Sequence, residues 1–181
     1  ETIRKFSSPT VSATFHHPKK CQSPAFSPDG RRIVSASGNE TFVRDVCTGA
    51  IVQKFLSGTG KSDVRAVSYS FDGKHIAVAS GATIVIRDAT TGKIQDSFNH
   101  LKPVNVMEFG PKGKVVAAGC ASREDRKGAL VLRDPSAGRI VSKFEHDSES
   151  TCVKFSPDGA RIVSSDKLGT VVVRKSESEG D

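Results

Sequence analysis

The chain has no tryptophan and only one tyrosine; ten phenylalanines supply the rest of its aromatic content. That leaves few side chains for stacking on nucleic-acid bases, which single-strand readers rely on. No apolar run approaches the ~18 residues of a membrane span, so no transmembrane segment is expected. The cysteines, at 21, 47, 120 and 152, form no CxxC pair and no metal-ligand spacing, which argues against a zinc site. His16-His17 near Cys21 lacks finger-like spacing as well. There is no GxSxG nucleophile elbow and no GxxxxGK[ST] phosphate loop. Ser57-Gly-Thr-Gly-Lys-Ser62 resembles the tail of such a loop but lacks its leading glycine. The acid pair Glu124-Asp125 sits among other charges and reads as solvated. No catalytic constellation emerges, so the expectation is a protein that is not an enzyme, with no cofactor and no bound metal. The opening Glu-Thr-Ile-Arg-Lys-Phe is not a signal peptide and has no initiator methionine. A processed, truncated or excised chain is therefore expected.

Positive charge and strand-forming residues are present in quantity. The formal net charge is +7 and the pI about 9.4, which favours an acidic partner: an acidic protein segment, nucleic acid or an anionic membrane surface. Small and β-branched residues dominate the apolar set, as strands require. Cys152 falls in an apolar strand pattern, where a reduced and buried thiol is usual. That suggests a reducing compartment, cytoplasmic or nuclear.

A repeat organises the whole chain. Phe26-Ser-Pro-Asp-Gly30, Tyr69-Ser-Phe-Asp-Gly73, Phe109-Gly-Pro-Lys-Gly113 and Phe155-Ser-Pro-Asp-Gly159 stand 43, 40 and 46 residues apart. A period of ~40–45 residues is that of a four-stranded propeller blade. The Asp-Gly pairs flanked by apolar alternation predict hairpin turns. In the first unit, strands are predicted over 21–28, 32–37, 41–46 and 51–55, with Thr48-Gly49 turning the chain. The second unit reads 64–70, 76–80, 83–88 and 94–98, the third 104–109, 115–119, 130–134 and 140–144. The last reads 152–155, 161–165 and 170–174 and stops before a fourth strand. Thr2-Ile-Arg-Lys-Phe6 is similar to Ile51–Phe55 and Ile140–Phe144 and is expected to be the outer strand of a preceding or closing blade.

The expected fold class is all-β, a propeller of four-stranded antiparallel blades with four repeats forming part of a larger ring. The propeller would span 1–176, with repeats at about 13–55, 60–98, 100–144 and 146–176 and a polar tail at 177–181. An open arc would expose apolar blade faces and favour self-association.

These motifs resemble the WD-repeat family of β-propellers. His17, His100 and His146 each stand nine positions before their aromatic and match the family's histidine; Gly60 takes that place in the second unit. Asp45, Asp88 and Asp134 match the aspartate of Trp-Asp, which Lys175 replaces in the last unit. The tryptophan is replaced by Arg44, Arg87, Arg133 and Arg174. The resemblance implies a buried network of His, Ser, Asp and Trp within a blade. Its turn aspartate falls on Gly38, Gly81, Lys127 and Leu168, and is thus missing. The histidines are then expected to use Ser35, Ser80 or Ser164, or to sit wetter. The arginines have two readings. Their stems pack against the blade while the guanidinium reaches solvent or an acid, or together they grip phosphates or carboxylates.

The resemblance implies a non-catalytic scaffold for protein–protein interaction. The alternative is an RNA- or ribonucleoprotein-associated propeller binding through its basic surface. A third reading makes the arginines a reader of anionic lipid. Partner-binding candidates are Lys19, Lys20, Lys61, Lys102, Arg123, Arg126 and Lys127, on connections and a long turn that would share one face of the propeller.

Overall fold

A computed structural model describes residues 13–57, 62–100, 102–111, 113, 115–119, 127–134 and 138–176. The expected strand at Thr2–Phe6 and the tail at 177–181 lie outside these. The architecture is all-β, as expected. The first sheet contains β1 (Cys21–Phe26), β2 (Arg32–Ser37), β3 (Glu40–Asp45) and β4 (Ile51–Leu56). The second contains β5 (Val64–Tyr69), β6 (His75–Ser80), β7 (Thr83–Asp88) and β8 (Ile94–Asn99). The third contains β9 (Val104–Phe109), β10 (Val115–Gly119), β11 (Gly128–Arg133) and β12 (Ile140–His146). The last has β13 (Ser150–Phe155), β14 (Arg161–Asp166) and β15 (Val171–Lys175). Each sheet is an antiparallel meander in sequence order.

Short polar motifs set the turns. After β1 the Ser27 hydroxyl donates to Asp29 at 2.6 Å, and the Arg31 and Arg32 amides donate to Asp29 and Ser27. Ser70 and Asp72 repeat this pattern after β5, and Ser156 and Asp158 after β13. These bonds, the serine's first, hold the three carboxyls below the usual carboxylate range. Each turn ends on a glycine with φ near +70° (Gly30 68°, Gly73 70°, Gly159 71°), a left-handed conformation that a Cβ resists. In the third repeat Gly110 replaces the serine because Phe155 of the next sheet lies against it. A Cβ there would stand 2.6 Å from the ring. Between the third and fourth strands, Asp45 accepts from the Cys47 and Thr48 amides and the Thr48 hydroxyl, and Asp88 likewise from Thr90 and Thr91.

The first strands β1, β5, β9 and β13 pack in series, and each junction has its own core. Val34, Val43, Val64, Tyr69 and Ile76 fill the first, and Ile84, Ile86, Val104, Met107 and Phe109 the second. Leu130, Leu132, Val153 and Ile162 fill the third. Polar links join the same strands. The Phe109 amide donates to the Ser68 hydroxyl, and the Phe155 amide to Glu108, which also pairs with Lys154 at 2.7 Å.

Among the described residues the sheets form an arc that does not close. Tyr69 and Phe109, at 8% and 7% exposure, are covered by the preceding sheet, whereas Phe26 in the same place is 62% exposed. At the other end no described strand pairs with the outer side of β15, and Val171 and Val173 are 66% and 60% exposed. Cys152 corrects an expectation. It lies in β13 beside the register shift between Ser150 and Cys152, and it is exposed, as are the free thiols of Cys21 and Cys47.

Candidate functional site

The four repeated arginines clamp each sheet to the aromatic ahead of it. In β7 the Arg87 guanidinium lies 4.5 Å from the centroid of Phe55 in β4. Its Nη1 donates to the Gly92 carbonyl at 2.8 Å and its Nη2 to the Leu56 carbonyl at 2.7 Å. Arg133 repeats the arrangement one sheet on: 4.8 Å from Phe98, with bonds to Gly138 (2.9 Å) and Asn99 (2.8 Å). Arg174 lies 5.2 Å from Phe144 and donates to the Glu145 carbonyl at 3.3 Å. Arg44 lies 5.5 Å from Phe15 and donates to Gly49 at 3.1 Å. Phe15 thus stands toward Arg44 as the outer-strand phenylalanines stand toward the later arginines.

Neither expected fate of the arginines is met in full. All four guanidiniums stack on rings and bond backbone carbonyls; those of Arg87 and Arg133 are buried in doing so, while Arg44 and Arg174 stay half-buried. Arg87 and Arg133 are each 8% exposed with both terminal nitrogens engaged, which leaves little of either open to a phosphate. Burial lowers the Arg87 pKa, although an arginine stays charged. A desolvated cation–ring contact is worth roughly 0.5–2 kcal/mol, and a hydrogen bond from a charged donor roughly 1.5–3 kcal/mol.

The histidines differ by repeat. His146 and Ser164 share a hydrogen bond at 2.8 Å, and the Asp166 carboxylate lies 3.8 Å from the other ring nitrogen. Arg174 donates to Ser164 at 3.4 Å. The fourth repeat therefore has the whole network that the family pattern implies, with arginine in the tryptophan's place. Its turn aspartate is Asp166, two residues before the expected place at Leu168. Asp166 accepts from the Leu168 and Thr170 amides and closes the connection between β14 and β15, residues 167–170. The corresponding loops have two residues in the first and second sheets, Gly38-Asn39 and Gly81-Ala82, so a fixed count from the arginine misses it. His17 and Ser35 bond at 3.0 Å. Burial first, and then Arg44 or Arg174, lowers the pKa of His17 and His146, against an opposing pull on His146 from Asp166 and Asp147.

The other two repeats solve the same position differently. Nδ1 of His100 meets the Lys102 backbone rather than a serine. Ser80, one of the expected histidine partners, donates instead to the Ser62 carbonyl. Gly60 lies outside the described residues, and the place of the missing histidine is taken by buried Ser57. The Ser57 amide bonds the Asn39 carbonyl just as the His100 amide bonds that of Ala82. The signal was legible as Phe-x-His: Phe15-His16-His17, Phe98-Asn99-His100 and Phe144-Glu145-His146, against Phe55-Leu56-Ser57. Counting back from the following aromatic hid it, because that connection is longer.

The described basic candidates, Lys19, Lys20, Lys102 and Lys127, fall at the end of the arc where connections between repeats meet the second-to-third-strand turns. The Ser37 hydroxyl bonds the Lys19 backbone, and the Lys19 side chain lies over Gly38 close to Asp63. Lys20 is exposed beside it. Lys102 donates to the Lys127 carbonyl at 3.0 Å, so those two meet. Lys167 pairs with Glu149 at 2.6 Å, which makes this end mixed in charge. Lys61, Arg123 and Arg126 lie outside the described residues. Asp134 closes its turn through its amide, bonded to the Arg139 carbonyl at 3.0 Å. Among the described residues no group of three potential metal ligands converges, and no helix is long and apolar enough to cross a membrane.

Comparison with known proteins agrees with this geometry. The WD domain, G-beta repeat model matches residues 50–88 and 138–174. Each matched stretch takes the outer strand of one sheet and the three inner strands of the next: β4–β7 and β12–β15. No curated protein matches the chain.

Proposed function

We propose that this chain, built of WD repeats, is a non-catalytic scaffold that holds proteins with acidic surfaces at its connection-bearing end. WD repeats in general mediate protein–protein interaction as scaffolds, and the WD match is the observation that carries the reading. The charge of +7 and the exposed Lys19, Lys20 and Lys127 on that end supply the preference for acidic partners. Its turns are braced by hydrogen bonds, a rigid base for a binding surface. Exposed free thiols at Cys21, Cys47 and Cys152 suit a reducing compartment, the cytosol or nucleus.

The test is binding of a labelled hexaglutamate peptide to the chain and to a Lys19→Ala, Lys20→Ala, Lys102→Ala, Lys127→Ala variant. The scaffold reading expects a loss of affinity of about tenfold or more, in line with the loss of several surface charges. Unchanged affinity refutes the placement. An RNA-associated role has the net charge in its favour. It requires tight binding of a single-stranded oligonucleotide with a steep fall in salt, and stronger binding of that probe than of the peptide would favour it.

A further inference from the structure

At the opposite end of the arc, the turns of the first and second repeats enclose a cleft of about 440 Å³. Ser27, Pro28, Asp29, Arg31 and Arg32 form one side, and Asp72, Gly73, Ala89 and Thr90 the other. Pro28 packs toward Gly73. Asp45 and Tyr69 complete the lining. The volume is that of a small-ligand site, at the low end of the roughly 300–1,000 Å³ range.

Tyr69 sets this cleft apart from its counterparts. The other three repeats have phenylalanine at its position: Phe26, Phe109 and Phe155. Tyr69 is 8% exposed, and its hydroxyl is buried with no hydrogen-bond partner. A buried hydroxyl without a partner costs about 1–3 kcal/mol, a penalty that phenylalanine avoids elsewhere in the chain. Burial raises its pKa to about 12, with Arg32 pulling down and Asp29 pushing up. Both charges therefore stand near the hydroxyl, which remains a neutral donor.

The lining carries both signs. No hydrogen bond or close ion pair holds the guanidinium of Arg31 or Arg32 among the described residues, although each influences an aspartate, Asp29 and Asp45 respectively. Asp29, Asp45 and Asp72 each commit one oxygen, Oδ1, to their own turn. Their second oxygens take no part in those turns. Three carboxylates against two guanidiniums disfavour a purely anionic ligand, and the arginines disfavour a purely cationic one.

We propose that the cleft binds a mixed-charge peptide segment, in which a carboxylate meets Arg31, Arg32 and the Tyr69 hydroxyl while an adjacent basic side chain meets the outer oxygens of Asp29 and Asp72. The hydroxyl is closed to solvent in the free protein. The carboxylate reaches the hydroxyl only if side chains lining the cleft shift on binding. This site has a different chemistry from the basic end and does not depend on which partner that end holds.

Tyr69 is the only tyrosine and tryptophan is absent, so tyrosine emission of the full chain reports on this cleft alone. The probes are acetylated (Glu-Lys)3 and hexaglutamate. The proposal expects (Glu-Lys)3 to quench the emission saturably, with hexaglutamate bound there at least tenfold more weakly. By polarisation of the labelled (Glu-Lys)3 peptide, Tyr69→Phe and Arg31→Gln/Arg32→Gln each lose about tenfold or more in affinity, the worth of a hydrogen bond to a charged group. Asp72→Asn weakens (Glu-Lys)3 but not hexaglutamate. Tyr69→Phe installs the residue of the other repeats, so its thermal unfolding stays at or above that of the parent. The proposal is overturned if (Glu-Lys)3 binds without altering tyrosine emission, if it does not bind at millimolar concentration, or if hexaglutamate quenches equally well.

Discussion

The second and fourth repeats brace the same turns with opposite chemistry. In the fourth, Asp166, His146, Ser164 and Arg174 form a buried polar chain. In the second, Ser57 stands where the histidine would be, and fully buried Val78 occupies the place of Ser164 in the register. Yet both carry an arginine on the preceding phenylalanine and an aspartate-closed turn. The blade therefore tolerates either an apolar or a polar filling beneath its turns, and what recurs is the clamp between sheets. The second sheet is also packed on both sides, whereas among the described residues no strand pairs with the outer side of the last strand of the fourth.

The largest effect that separates these regions is expected in the packed sheet. Ile84→Ala, at a side chain with no exposure, should cost about 2–5 kcal/mol in urea denaturation. A cost below 1 kcal/mol would mean that the second junction is not a core. Next come two exchanges at matched positions. Ser164→Val strands His146 and Val78→Ser buries a hydroxyl without a histidine, so each should cost about 1–3 kcal/mol. Stabilisation by Ser164→Val would show the polar chain to be unnecessary.

How much of this was legible follows from what each feature depends on. Strands and hairpin turns rest on local alternation and Asp-Gly pairs, and the described strands begin and end within about two residues of their expected bounds. The role of Asp166 was not legible in this way, because a connection two residues longer than Gly38-Asn39 shifts every count taken from the arginine. Ser57 was hidden for the same reason, by the longer connection before Tyr69. One carbonyl partner of each of Arg87 and Arg133, Leu56 and Asn99, lies on the preceding sheet, 31 and 34 residues away, and no local pattern announces it. The cleft around Tyr69 likewise joins two repeats, and its only sequence trace was one tyrosine among phenylalanines.

Acid should weaken the fourth repeat more than the second. His17 and His146 have folded pKa values below the ordinary 6.5, so the unfolded chain binds more protons as pH falls through that value. Their contribution is complete above about 6.5 and is lost as pH falls toward the folded values. Urea midpoints measured from pH 7.5 to 5 should decline, and the decline should shrink in His17→Asn/His146→Asn. An unchanged slope in that variant would show that these histidines are not held neutral. The smallest effect belongs to the edge. Val173→Thr on β15 should change stability by no more than about 0.5 kcal/mol, and a larger loss would show that something covers that strand.

The clamp itself is tested most directly by a double-mutant cycle on Arg133 and Phe98, read by urea denaturation of Arg133→Ala, Phe98→Ala and the pair. A guanidinium stacked on the ring of the preceding sheet predicts a favourable coupling of about 0.5–2 kcal/mol. Strict additivity would contradict it, leaving the repeated arginines without a part in joining one sheet to the next.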